Sequence, residues 1–221
     1  MSSKKPRIGV DLDDVIFDLA PAFCEYSNEK FGTQLTPFNH NEHWAKIWGQ
    51  NGEFLPHDEL MDRWHEMIRG NFYFDNVSPV ENAAPILNKI KNLGYEMVVL
   101  TSRSANNHAD NENIRRQTRA SLDKYYPNIF DEVHFMSIWA GDNPELGDQI
   151  TKSKLFEKLD LDYLIDDQTK HINAINKHYN EPRGILFGHF AHQKNIPPNT
   201  PHFENWNEDI VKYFENKIND R

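Results

Sequence analysis

Apolar positions along the chain follow two rhythms. One is the short continuous run: Ile8-Gly9-Val10, Met97-Val98-Val99-Leu100, Tyr163-Leu164-Ile165 and Gly184-Ile185-Leu186-Phe187, with Glu132 to Met136 as a further candidate. Runs with no polar alternation suit strands of a parallel sheet covered on both faces. The other rhythm is helical. Leu19, Phe23, Tyr26 and Lys30 recur at near-helical spacing over 18–31, and Gly32 supplies a stop. Asp58 reads as the cap of a helix bearing Leu60, Met61, Trp64, Met67 and Ile68, ended by Gly70. Further helices are predicted over 81–93, Asn111 to Lys124, Thr151 to Leu159, 168–178 and about 207–218. Strands alternating with helices predict the α/β class, a parallel Rossmann-like sheet with helices on both faces.

That alternation fails between residues 17 and 77. Thr33 to Pro56 is polar and spotted with aromatics, with a short helix expected over His43 to Trp48, and nothing between 18 and 76 reads as a strand of a parallel sheet. The expected organisation is a core of residues 1–16 and 78–221, with a small helical cap, 17–77, inserted after the first strand. A chain of 221 residues is long enough for this and buries a core without disulfides or a structural metal.

Composition narrows the chemistry. The formal net charge of −10 argues against a nucleic-acid polymer as partner, since backbone binding needs a basic face. It does not oppose an anionic small substrate held by a cation and a few local donors. Cys24 is the only cysteine, so thiolate zinc clusters and internal disulfides are excluded. The N-terminal stretch has no apolar run of signal-peptide length, and no run is long enough for a membrane. The expectation is a soluble, cytoplasmic protein.

Three of the apolar strands end in functional groups: Asp11, Asp13 and Asp14; then Thr101, Ser102 and Arg103; then Asp166 and Asp167. In an open parallel sheet, ligands bind beyond the carboxyl ends of the strands, where the strand order switches. Paired carboxylates at two such ends, with hydroxyls at a third, are poorly explained as solvated turns. Asp11 and Asp166 can converge on one hard divalent ion, and an all-oxygen ligand set points to Mg²⁺. Thr101 and Ser102 can donate to phosphate oxygens. A lysine is needed beside them; Lys152, directly after the cap Thr151, is favoured over Lys154 and Lys158.

The series Asp-Leu-Asp-Asp-Val, Leu-Thr-Ser-Arg, a helix-starting lysine and Leu-Ile-Asp-Asp resembles the haloacid dehalogenase-like (HAD) superfamily. The lid after the first motif, the turn around Phe72 to Pro79 and the tail from Ile185 through Trp206-Asn207-Glu208-Asp209-Ile210 are similar to the 5′(3′)-deoxyribonucleotidases and their uncharacterised bacterial relatives. The resemblance implies a Mg²⁺-dependent phosphomonoesterase acting on nucleoside monophosphates, with a sugar phosphate or other small phosphometabolite as the alternative substrate. It implies Asp11 as nucleophile and Asp13 as general acid and base, with the Asp13 carbonyl on the metal. Thr101 and Lys152, with Ser102 assisting, would hold the phosphoryl oxygens. Asp166 would ligate the metal directly, and Asp167 through water or from behind. The implied partner is a small phosphorylated metabolite, with a homodimer as a further expectation.

Two positions depart from that pattern. The deoxyribonucleotidases usually carry Gly where Asp14 stands, and an aromatic base platform where Leu19 stands. Phe17, Phe23, Trp44 and Trp48 are the remaining candidates for such a platform, though each reads more readily as an ordinary lid-core aromatic. Arg103 reads equally as an ion-pair partner near the site or as a substrate contact. His189 and His192 form a pair lacking a third metal ligand, His108 reads as a surface residue, and Cys24 reads as a buried, inert thiol.

Overall fold

The computed structural model describes residues 4–35, 57–105, 107–136, 151–188, 196 and 198–219. The expected helix at His43 to Trp48, with Trp44 and Trp48, lies outside them, as do His189 and His192. Among the described residues, six strands form one sheet: β1 (Arg7–Val10), β4 (Glu96–Thr101), β5 (Glu132–Phe135), β6 (Tyr163–Asp166), β7 (Gly184–Phe187) and β8 (His202–Phe203). Their spatial order is β5-β4-β1-β6-β7-β8, and every pair is parallel.

Side chains alternate across this sheet. Ile8, Val10, Met97, Val99 and Ile165 enter one core, while Val98, Leu100 and Leu164 enter the other. The first core takes in α4 (Ala83–Asn92), α5 (His108–Tyr125) and α8 (Glu208–Asn219) through Ile86, Leu87, Ile114, Leu122, Ile210 and Phe214. The second is covered by α6 (Lys152–Lys158) and α7 (Thr169–Asn176) through Leu155, Phe156 and Ile175. At Gly9 a Cβ would stand 2.9 Å from Leu161 and 3.1 Å from Leu164, so the second layer closes over β1 because that position has no side chain. No helix among the described residues is long and apolar enough to cross a membrane.

Between β1 and β4 the chain forms α1 (Leu19–Phe31), α2 (His57–Arg69) and α3 (Phe72–Asn76). Two short strands stand at the neck of this segment: β2 (Phe17–Asp18) pairs antiparallel with β3 (Ser78–Pro79). The hydrophobic pattern does not predict this ribbon, because two residues carry no periodicity. β8 escapes prediction for the same reason. α2 begins at His57, so Asp58 lies within its first turn instead of capping it. Gly32 does terminate α1, in the left-handed conformation at φ 64°.

Candidate active site

β1 lies between β4 and β6. The chain steps from β1 through β4 to β5 on one side of the sheet and returns to β6 on the other. The switch point therefore falls at the carboxyl ends of β1 and β6. Val10 pairs with Ile165 and with Val99, which sets Asp11, Asp166 and Thr101 along one rim. The Asp11 N–H continues the ladder to the Ile165 carbonyl at 3.0 Å.

Past β1 the chain makes one tight turn. Ile16 and Phe17 both donate to the Leu12 carbonyl at 2.9 Å. Two further carbonyls of the turn are satisfied from afar: Trp206 Nε1 donates to Val15 at 2.7 Å, and Val80 N–H to Ile16 at 2.8 Å. Asp14 sits in this turn at φ 58°. Glycine adopts that conformation freely, and Asp and Asn are the side chains that tolerate it, so Asp14 does not break the turn. Its Oδ1 accepts from the Leu19 and Ala20 N–H groups at 3.0 and 3.2 Å, capping α1.

Asp11, Asp166 and Asp167 are buried together, each with a carboxylate oxygen within 4.8 Å of the others'. Lys152, the first residue of α6, lies between two of them: its Nζ is 2.6 Å from Asp11 Oδ2 and 2.5 Å from Asp166 Oδ2. Thr151 caps that helix by accepting from the Lys154 N–H, which fixes Lys152 at the helix entry while Lys154 is exposed. One ammonium beside three buried carboxylates leaves negative charge uncompensated, and the donor atoms are all oxygen. This is the chemistry of a hard divalent cation, so the residues fit such a group.

The carboxyls are not equivalent. Burial is the largest effect on Asp11 and lifts it to about 6; Lys152 opposes the shift and Asp166 adds to it. Burial acts on Asp166 too, but the Lys152 ammonium and the hydrogen-bonding His171 outweigh it and hold the carboxyl down at about 2. Asp166 takes the charge because it has more partners: the Gln168 N–H at 2.7 Å and His171 Nδ1 at 3.0 Å as well as Lys152. Asp167 is raised well above the usual carboxylate range by burial and by its anionic neighbours Asp166 and Asp11. Lys152 is raised: burial disfavours its charge, but two carboxylates more than offset that.

Asp13 points elsewhere. Arg103 Nε lies 3.0 Å from its Oδ2 and Arg103 Nη2 2.7 Å from its Oδ1, a two-point fork. The Tyr73 hydroxyl, from α3, donates to Oδ1 at 2.6 Å. Arg103 thus stands on Asp13, with 1% of its side chain exposed, and does not face open space as a substrate contact would. Thr101 is fully buried at the end of β4 and accepts from the Arg103 N–H at 3.2 Å, while Ser102 is exposed beside it. Phe17 and Phe23 are fully buried in the core, so neither ring offers a face on which a base could stack. Leu19 is buried as well. His108 is exposed on α5. Cys24 is buried and its thiol pushed up to about 12 by burial and by Asp14, in keeping with an inert group.

Two contacts have no counterpart in the sequence reading. His171 lies one turn into α7, five residues past Asp166, and that spacing would have found it. Tyr73 reaches Asp13 across sixty residues, and no local pattern announces it.

Burial, with Asp13 and Asp18 as like-charged neighbours, pushes Asp14 up to about 7 from the ordinary 3.8. Between those values the folded chain holds a proton that the unfolded chain releases, so this group's contribution to stability falls as pH rises through the window. Asp14→Asn keeps the capping oxygen and removes the charge. The variant is expected to lose less stability than wild type from about pH 4 to pH 7 and to melt higher at about pH 8. Parallel thermal-melt profiles for the two proteins would contradict this.

The fold has solved counterparts. A predicted phosphatase from Clostridium acetobutylicum superposes with a TM-score of 0.62 at 16% identity, over 97% of this chain and all of the other. A predicted phosphoglycolate phosphatase from Haemophilus somnus 129PT gives 0.58 at 16% identity, over 96% and 99%. A HAD-superfamily hydrolase from Ehrlichia chaffeensis gives 0.55 at 14% identity, over 98% and 100%. At these identities the likeness concerns the fold alone. Comparison with the curated proteins returned no match. The model of one sequence family, described as 5′ nucleotidase, deoxy (pyrimidine), cytosolic type C protein, matches residues 5–213. With strand order, rim carboxylates and family match in agreement, the chain belongs to that 5′ nucleotidase family and, through it, to the HAD-superfamily hydrolases.

Proposed function

We propose that the protein is a Mg²⁺-dependent phosphomonoesterase that works through an aspartyl-phosphate on Asp11, with a (deoxy)nucleoside monophosphate as substrate. The observation that carries the reading is the meeting of Asp11, Lys152 and Asp166 within 2.6 Å contacts at the switch point of the sheet. Thr101, at the adjacent strand end, completes the rim.

Asp11 attacks phosphorus in line; a P–O bond to the aspartate forms as the ester P–O bond breaks. Asp13 gives its proton to the departing alkoxide and then takes one from the water that attacks the aspartyl-phosphate, which releases phosphate and regenerates Asp11. Lys152 and the Thr101 hydroxyl hold the phosphoryl oxygens and offset the charge they gather in the transition state, with Ser102 at hand. Asp11, Asp166 and the Asp13 carbonyl would hold the Mg²⁺, with Asp167 supporting from behind. When bound, the ion supplies charge neutralisation for substrate and nucleophile together. The segment 17–77 serves as the cap over this rim, and the β2–β3 ribbon is its neck.

A second substrate class has one observation in its favour. With Leu19, Phe17 and Phe23 all buried, no aromatic among them is presented to a base, which suits a sugar phosphate or other small phosphometabolite. A release assay over 4-nitrophenyl phosphate, deoxynucleoside monophosphates and sugar phosphates tests both readings. The expected result is Mg²⁺-dependent phosphate release, abolished by chelation, restored by added Mg²⁺ and fastest on the nucleotides. Fastest turnover of sugar phosphates would select the second class, and absence of release from every ester would contradict the enzyme.

A further inference from the structure

Arg103 is an unusual residue to bury. A guanidinium taken out of water needs its donors satisfied, and ion pairs of this kind contribute little net stability on average. Here three elements supply the satisfaction. Arg103 Nε and Nη2 fork onto Asp13 at 3.0 and 2.7 Å, Nη2 also meets the Tyr73 hydroxyl, and Nη1 donates to Thr118 Oγ1 on α5 at 3.2 Å. The guanidinium also packs over the Tyr73 ring, 4.6 Å from its centroid, and the Phe17 ring at 5.4 Å. Its Asp13 partner is less enclosed: 18% of that side chain remains exposed, against 1% for Arg103. The cation is fixed from behind, and it presents a carboxylate that still has an open side.

We propose that Arg103 and Tyr73 are positioning residues for Asp13, fixing its carboxylate in one orientation from which it serves both the leaving oxygen and the attacking water. This rests on the phosphatase reading above and goes beyond it, because it assigns a role to a residue of the β4 rim and to one from the segment between β1 and β4. The fork fixes the plane of the carboxylate, since a guanidinium meets both oxygens only when the two groups are coplanar. The Tyr73 hydroxyl then holds Oδ1, leaving Oδ2 with the lighter load. Proton transfer depends on such placement, and a displacement of about 1 Å can reduce rate a hundredfold.

A double-mutant cycle on turnover of 4-nitrophenyl phosphate and of a deoxynucleoside monophosphate is the test. Tyr73→Phe removes one oxygen and is expected to lower kcat about tenfold, with KM within about twofold of wild type; Arg103→Lys keeps the charge but loses the fork and is expected to lower kcat about a hundredfold. Both losses are expected to be larger on the nucleotide, whose alkoxide leaving group needs the proton more. In the Asp13→Asn background the same substitutions are expected to change residual turnover by less than about twofold, because residues acting through Asp13 have nothing left to position. Equal losses in both backgrounds, on an active wild-type enzyme, overturn this assignment alone. A wild type inert on every ester overturns the phosphatase reading and this assignment with it. Tyr73→Phe leaves the buried ring in place and decides the matter even where Arg103→Lys does not fold, with a thermal melt to show that the variant is native.

Discussion

Asp11→Asn is expected to lower turnover of any phosphate ester by about four orders of magnitude or more, while the fold persists. The amide cannot attack phosphorus, and no neighbour replaces it. Asp13 is turned onto Arg103, and Asp166 is tied to Lys152, His171 and the Gln168 N–H. The fold persists because asparagine has the same shape and keeps the oxygen that accepts from the Leu12 N–H at 2.8 Å. It also removes one of the three acidic groups gathered on the rim. A steady-state assay with 4-nitrophenyl phosphate and a thermal melt check the two halves. Retention of more than a few per cent of activity would remove Asp11 from the nucleophile's role, and a collapsed melt would show a structural requirement that the geometry does not.

Lys152→Met is expected to be the most destabilising of the rim substitutions. Methionine fills the volume and keeps the helix, but Asp11, Asp166 and Asp167 lose their common cation. Breaking a buried pair by removing one partner costs about 3–5 kcal/mol, since the remaining charge has neither water nor counter-ion. Protonation relieves that strain, so the deficit against wild type is expected to shrink as pH falls. A divalent ion relieves it as well. Millimolar Mg²⁺ is expected to raise the melting temperature of Lys152→Met more than that of wild type, by the linkage of binding to folding. Turnover is expected to stay at least a hundredfold down even with the metal, because a phosphoryl-holding group is gone. Melting curves with and without Mg²⁺ make the check. A variant as stable as wild type in chelator would mean that the rim carboxylates do not depend on Lys152.

What was legible in the sequence follows from how the sheet is built. β1, β4, β6 and β7 are buried on both faces, so their continuous apolar runs stand out from flanking polar residues. Because those strands are parallel, every carboxyl end lies on one rim, so the strand pattern alone brings Asp11, Thr101 and Asp166 together. Thr151 gave Lys152 its position, since a capping hydroxyl fixes the first turn of the helix that follows. The ribbon of β2 and β3 and the edge strand β8 were not legible: two residues have no period, and only the partner strand defines them. The Arg103–Asp13 fork joins residues ninety apart, and Tyr73 adds a third element. Such contacts depend on how the segment between β1 and β4 packs on the sheet, and local spacing carries no record of that. Phe17 and Phe23 show the complementary difficulty. An aromatic in a lid sequence suits a core more often than a substrate platform, and their complete burial agrees with the core.

The proposed mechanism requires that a phosphoryl group pass onto Asp11. Rapid acid quench during turnover of a phosphate ester with Mg²⁺, followed by peptide mass spectrometry, reads this directly. The expected result is a hydroxylamine-labile phosphoryl group on the peptide containing Asp11, absent from Asp11→Asn. Steady phosphate release with no phosphoryl group on that peptide at any quench time would contradict it.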